Sequence, residues 1–164
     1  KKQEEPVDLN ELTKELAAVY SESALQKQQT LELELAPHAP VVQTVPRLIR
    51  EAAVNYITNA IKYTPETGRI ILRTRIEAGH AIFEVEDSGI GIPEEFVKNL
   101  FGEVVRAPAT VSGKRPPGIG LGLSIVKRIL QYYDGEVYVT SELEKGSTFG
   151  FSVPITPASA YEAD

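Results

Sequence analysis

Two apolar, β-branched runs, RIILRTRI (Arg69–Ile76) and AIFEVED (Ala81–Asp87), constrain the fold of this chain more than any other feature. Extended segments place successive side chains on opposite faces, so runs of this kind read as strands with at least one buried face. The residues between them, Glu77-Ala78-Gly79-His80, include a glycine suited to a tight reversal, which predicts an antiparallel hairpin. LELELA (Leu31–Ala36) alternates strictly and adds a half-buried strand, and Glu136–Ser141 with Ser147–Val153 predict a last pair.

Helical periodicity fills the intervals. Leu9, Leu12, Leu16, Val19 and Tyr20 recur at helical spacing between Val7 and about Gln28, with Asp8 placed to cap. Pro46 suits the first turn of a helix running to Tyr63, which Pro65 stops. Pro93–Leu100 predicts a short helix and Leu121–Tyr133 a longer one, with Gly135 as its C-terminal stop. Mixed helices and hairpins imply an α+β fold: a two-layer sandwich with a mixed, mostly antiparallel sheet of about five strands and three main helices on one face. Residues 1–6 read as the end of a linker, 7–155 as one domain, 102–117 as a mobile loop and 156–164 as a disordered tail.

Composition narrows the function. The chain has 164 residues and a net charge of −6 from 17 basic and 23 acidic side chains, which argues against a general nucleic-acid binder. It has no bilayer-length apolar run and no cysteine, so membrane contact, disulfides and thiolate zinc sites are not expected, and a cytoplasmic setting is. The absence of Met, even at the start, reads as a piece excised from a longer protein.

Three segments carry chemistry. On a wheel of the 46–63 helix, Ile49, Ala53, Ile57, Ala60 and Ile61 share one side, and Glu51, Asn55, Asn59 and Lys62 form a narrow stripe opposite. A merely solvated face would be filled with Lys, Glu and Arg, which cost a helix little, whereas Asn competes for backbone hydrogen bonds. Asn suits a different task, offering a neutral carbonyl oxygen to a hard cation and an amide donor to phosphate. The second segment, EDSGIGIP (Glu86–Pro93), ends a strand in Asp87 and enters a helix through Gly89 and Gly91. An ionised Asp there can accept from an exocyclic amine such as that of adenine. In the third, PPGIGLGLSIV (Pro116–Val126), Gly118, Gly120 and Gly122 precede a helix whose free N–H groups favour anions. Neither a P-loop nor a Rossmann glycine pattern fits, and protein-kinase signatures are missing.

Taken in order, N-x-x-x-N-A-x-K-Y, D-x-G-x-G and G-x-G-L-G-L resemble the catalytic and ATP-binding domain of sensor histidine kinases, within the superfamily of gyrase, Hsp90 and MutL ATPases. The likeness runs from about Val7 to Pro154: PVDLNELTKEL is similar to the family's opening, Phe101 falls at its phenylalanine motif, and KGSTFGFSVP (Lys145–Pro154) is similar to its final strand. The resemblance implies a Bergerat-type fold binding ATP or ADP with Mg²⁺. It implies that Asn59 ligates the metal, Asn55 and Lys62 serve the phosphates as catalytic groups, and Tyr63 packs on the base or ribose. Asp87 would bind the adenine amine, with Gly89 and Gly91 shaping the pocket. Gly118, Gly120 and Gly122 would let an ATP lid cover the triphosphate, Leu121 and Leu123 would anchor the next helix, and Thr148 would approach the base. Arg106, Lys114 and Arg115 are lid candidates for the γ-phosphate.

The same resemblance implies transfer of the γ-phosphoryl group to a histidine on a separate dimerisation domain of the parent, and indirectly to a response regulator. Neither His38, between two Ala-Pro pairs, nor His80, in a hairpin turn, has the phosphoacceptor's context, and the isolated domain is expected to be monomeric. Departures are LFGEVVR (Leu100–Arg106), where further aromatics are common, and Pro116-Pro117 before Gly118. Alternatives from the same fold are a gyrase-type ATPase, an anti-sigma-factor serine kinase and a nucleotide-sensing pseudokinase. The ATPases carry a Glu base where this chain has Asn55, and an amide cannot take water's proton; Glu51, one turn earlier, is the acidic group nearest on the stripe.

Overall fold

The computed structural model describes residues 3–97, 100 and 122–155. Eleven elements follow in order: β1 (Glu5–Asp8), α1 (Leu9–Gln26), β2 (Thr30–Glu34), β3 (Val41–Thr44), α2 (Pro46–Tyr63), β4 (Arg69–Glu77), β5 (His80–Asp87), α3 (Glu94–Val97), α4 (Leu123–Tyr132), β6 (Glu136–Glu142) and β7 (Gly146–Pro154). The main sheet has the order β2-β4-β5-β7-β6, and β2 runs parallel to β4 while its other neighbours are antiparallel. This is the expected α+β sandwich.

The β4–β5 hairpin turns through Ala78 and Gly79, both at positive φ (53° and 78°). That backbone matches the twist of the flanking strands. One expectation fails at the N-terminus. Glu5–Asp8 is a strand paired antiparallel with β3, so residues 5 and 6 belong to the fold and not to a linker. The helix begins at Leu9, where the Asp8 carboxylate accepts from the Glu11 N–H at 3.0 Å. Strand β3 was not foreseen: four residues between prolines carry too little pattern to stand out. At the end of α4 the αL position falls to Asp134 (φ 59°), and the Gly135 N–H bonds back to the Leu130 carbonyl at 2.7 Å.

The core lies between the sheet and α1, α2 and α4. Ile49, Ala53 and Ile57 of α2 are fully buried, as the wheel requires, and Ala60 nearly so. Ile61 is only half-buried, and Tyr56 joins the core instead, donating from its hydroxyl to the Gly150 carbonyl at 2.8 Å. Around it, Tyr56 and Phe151 have ring centroids 6.0 Å apart, and Phe83 and Phe151 5.4 Å. On the opposite face of the sheet, Arg73 reaches Glu34, Glu84 and Glu86, and Arg75 reaches Glu84. Ile71 and Ile82 on this face are buried, and the stems of the long arginine side chains beside them can cover them. Among the described residues no helix is long and apolar enough to cross a membrane.

Candidate functional site

The C-terminal half of α2 forms one wall of a cleft that gathers the sequence-predicted residues. Its end is fixed by two side chains from the α1–β2 connection. Lys27 Nζ donates to the carbonyls of Ile61 (2.8 Å) and Lys62 (3.2 Å), and Gln29 Nε2 to those of Ile61 (3.0 Å) and Thr64 (2.8 Å). These bonds satisfy carbonyls that a helix end leaves open, and the Lys27 charge complements the helix dipole. The start of α2 has no side-chain cap, but the Val45 N–H donates to the Tyr133 hydroxyl at 2.9 Å. With both ends held, Asn59, Ala60 and Tyr63 line the cleft.

The facing wall comes from the ends of β5 and β7 and from the turn after β5: Asp87, Ile90, Gly91, Ile92, Ser147 and Phe149 complete the cleft. Asp87 and Ser147 stand opposite each other in the β5–β7 register. One carboxylate oxygen of Asp87 accepts from the N–H of Gly89 (2.8 Å) and of Ser147 (3.3 Å). Burial nevertheless dominates and pushes the Asp87 carboxyl up to about 6, opposed by those two N–H groups and assisted by Glu86.

The glycines act through close approach. A Cβ on Gly89 would lie 2.8 Å from Asp87 Oδ1 and 2.9 Å from the Tyr63 carbonyl, so its absence lets the β5 turn reach the end of α2. Gly91, at φ +75°, lies against the backbone of Glu142, and the Glu144 N–H donates to the Ile90 carbonyl at 2.7 Å. The D-x-G-x-G turn is thereby tied to the β6–β7 hairpin.

The remaining expected residues fall in three groups. Asn55 is half-buried, its amide N–H donates to the Glu51 carbonyl at 2.9 Å, and its Oδ1 occupies the space that a Cβ on Gly122 would need. This brings the start of α4 against the asparagine stripe. Lys62 is exposed at the rim, with Nζ 5.3 Å from the Tyr63 ring centroid, and Leu123 is fully buried in the core. Gly118, Gly120 and Leu121, together with Phe101, Arg106, Lys114, Arg115, the expected lid and the expected tail, lie outside the described residues. Thr148 needs correction. It does not line the cleft, although Ser147 and Phe149 on either side of it do, and in the register it pairs with Glu86 and Thr140. The period-2 alternation explains this: Phe149 and Phe151 are core-facing, so Ser147 and not Thr148 shares their face. Counting two back from Phe149 would have found it in the sequence.

His38 is exposed, and His80, at the start of β5, donates from Nδ1 to the Ala78 carbonyl at 3.0 Å.

Comparison with known proteins places this architecture. Residues 44–157 match the family described as histidine kinase-, DNA gyrase B- and HSP90-like ATPases. The aerobic respiration control sensor protein ArcB of Escherichia coli K12 is 38% identical over 165 residues, which is 98% of this chain and 21% of ArcB. The chain thus spans about a fifth of that relative's length. The catalytic domain of histidine kinase ThkA superposes with a TM-score of 0.81 at 26% identity, covering 94% of this chain and 97% of that one. Full-length ShkA in complex with AMPPNP also gives 0.81, at 28% identity over 96% of this chain and 32% of ShkA. The chain belongs to the histidine kinase-, DNA gyrase B- and HSP90-like ATPase family, as an ATP-binding catalytic domain of the sensor histidine kinase type.

Proposed function

We propose that the cleft between α2 and the β5–β7 strand ends binds the adenine nucleotide, and that the domain hands the γ-phosphoryl group to a histidine on a dimerisation domain elsewhere in its parent. The observation that carries this reading is the Asp87 carboxylate, half-buried at a strand end and lining the same cleft as Asn59 and Tyr63. Its second oxygen takes no share in the bonds from Gly89 and Ser147, so it can accept from an exocyclic amine.

The asparagine stripe then runs from the base toward the phosphates. Asn59 fits as a ligand for Mg²⁺: it offers a hard neutral oxygen at the cleft wall, and among the described residues no cluster of three or more His, Cys, Asp or Glu could hold the ion alone. A metal taken up with a triphosphate needs only one or two such protein ligands. When bound, Mg²⁺ would offset the negative charge on the phosphate oxygens. Lys62, exposed beside Tyr63, is free to swing toward the same charge, and Asn55 holds the glycine segment at the stripe through its contact with Gly122. These residues position and neutralise; the attacking imidazole is supplied by the other domain.

Asn55 favours this over rapid hydrolysis, because its amide is committed to the Glu51 carbonyl and has no basicity to activate water. Asn59→Ala is expected to bind ADP with an affinity that no longer depends on Mg²⁺. Calorimetric titrations with and without Mg²⁺ check this, and an unchanged metal requirement would refute the ligand assignment. A response regulator receiving phosphate from the acceptor histidine completes the proposed relay.

A further inference from the structure

Across β5, β7 and β6 the register places Asp87, Ser147 and Ser141 in one row. Asp87 and Ser147 line the cleft, and Ser141, paired with Ser147 on the neighbouring strand, does not. Ser141 Oγ lies 2.8 Å from Ser147 Oγ, accepts the Ile92 N–H at 2.7 Å and is 3.2 Å from the Gly146 carbonyl. A serine hydroxyl has one hydrogen to give. Ser141, having accepted from Ile92, can donate either to Ser147 or to Gly146. The shorter contact is to Ser147.

If Ser141 donates along this shorter contact and not to Gly146, the sense of the whole row is set. With its oxygen accepting from Ser141, the Ser147 hydroxyl keeps its own hydrogen for the cleft. The chain Ile92 N–H to Ser141 O–H to Ser147 O–H then runs in one direction, and each bond polarises the next. Beside it stands the Asp87 carboxylate, an acceptor. The cleft therefore presents an acceptor and a donor side by side. A 6-aminopurine offers the complementary pair, an exocyclic N–H and the ring nitrogen N1 with its lone pair. A 6-oxopurine offers the reverse pair, a carbonyl oxygen beside an N1–H.

Resting on the nucleotide reading above, we infer that Ser141 is a positioning residue that holds Ser147 as the hydrogen-bond donor to the purine N1. It thereby selects amino- over oxopurine nucleotides without touching the base.

The experiment titrates the protein, with Mg²⁺ present, with ADP and with 1-deaza-ADP, in which N1 is replaced by C–H. Wild type is expected to bind ADP about 10-fold more tightly than 1-deaza-ADP, the equivalent of one hydrogen bond. Ser147→Ala and Ser141→Ala are each expected to bring that ratio within about twofold of unity, and Ser141→Thr to keep it. A role in stability alone would lower both affinities together and leave the ratio intact. Ser147→Ala leaves Ser141 to accept from Ile92, so it tests the donor even where Ser141→Ala unfolds. A wild-type ratio near unity, or a ratio unchanged in Ser147→Ala or in a folded Ser141→Ala, overturns the inference. Failure of wild type to bind ADP at all would overturn the nucleotide reading beneath it.

Discussion

Replacing Asp87 by Asn is expected to weaken ADP binding roughly 30- to 1,000-fold while making the nucleotide-free protein more stable at neutral pH. Asn is nearly isosteric and its Oδ1 can still accept from Gly89 and Ser147. Its amide N–H₂, however, would face the exocyclic amine of the base, donor against donor. Losing a charge-assisted hydrogen bond and leaving both donors unsatisfied costs about 2–4 kcal/mol. The stability gain follows from the carboxyl that burial pushes up to about 6 from 3.8. A carboxyl with a raised folded-state value favours folding most when protonated, so its contribution is fully present below about 3.8 and is lost as pH rises through about 6. The charged form therefore costs the free protein on the order of 2 kcal/mol at neutral pH, and Asn removes that cost. Ligand binding has the opposite sign: an amine donor prefers the carboxylate, so wild-type affinity should rise from pH 5 to pH 7, and that of Asp87→Asn should not. Calorimetry across that range and thermal unfolding at pH 4 and 7 measure both limbs. Unchanged ADP affinity in the variant would remove Asp87 from base recognition.

Phe151→Ala is expected to be the most damaging single change to the fold, at about 3–5 kcal/mol. Phe151 is fully buried on β7, one strand in from the edge, with Tyr56 of α2 on one side and Phe83 of β5 on the other. Truncation removes the ring that joins helix to sheet and leaves a cavity its rigid neighbours cannot fill. It also loosens Tyr56, whose hydroxyl bond to the adjacent Gly150 carbonyl sets how α2 lies on the sheet. Because α2 also carries Asn55 and Asn59, nucleotide affinity should fall with stability. For a domain of this size the loss corresponds to a drop in Tm of about 10 °C or more. A drop below about 3 °C would show that the aromatic cluster is not the junction described.

Much of this is legible in the sequence. The hairpin at Ala78-Gly79 and the bounds of α2 at Pro46 and Tyr63 follow from local chemistry: a glycine that tolerates positive φ, and a proline that suits a first turn. Of the residues that line the cleft, Asn59 stands out on the helix wheel and Asp87 and Gly91 in the D-x-G-x-G turn, whereas Tyr63 enters only through the family resemblance. What escaped depends on partners distant in sequence. Strand β3 exists because β1 pairs with it, and four residues cannot announce a partner more than 30 positions away. Ser141 acquires meaning only from the register that sets it beside Ser147 and from the Ile92 N–H, 49 residues away, that turns back to it. Thr148 was misplaced by one residue, and in a strand one residue reverses the face.

The proposed function has this domain supplying phosphate to a histidine on another domain of its parent. The direct measurement mixes it with the upstream helical domain of its parent and γ-labelled ATP, then follows label on that second domain. Acid-labile, alkali-stable phosphate is expected on the helical domain, appearing only when this chain is present and abolished by Asp87→Asn. Nucleotide binding without any label transfer, or release of free phosphate in its place, would contradict it.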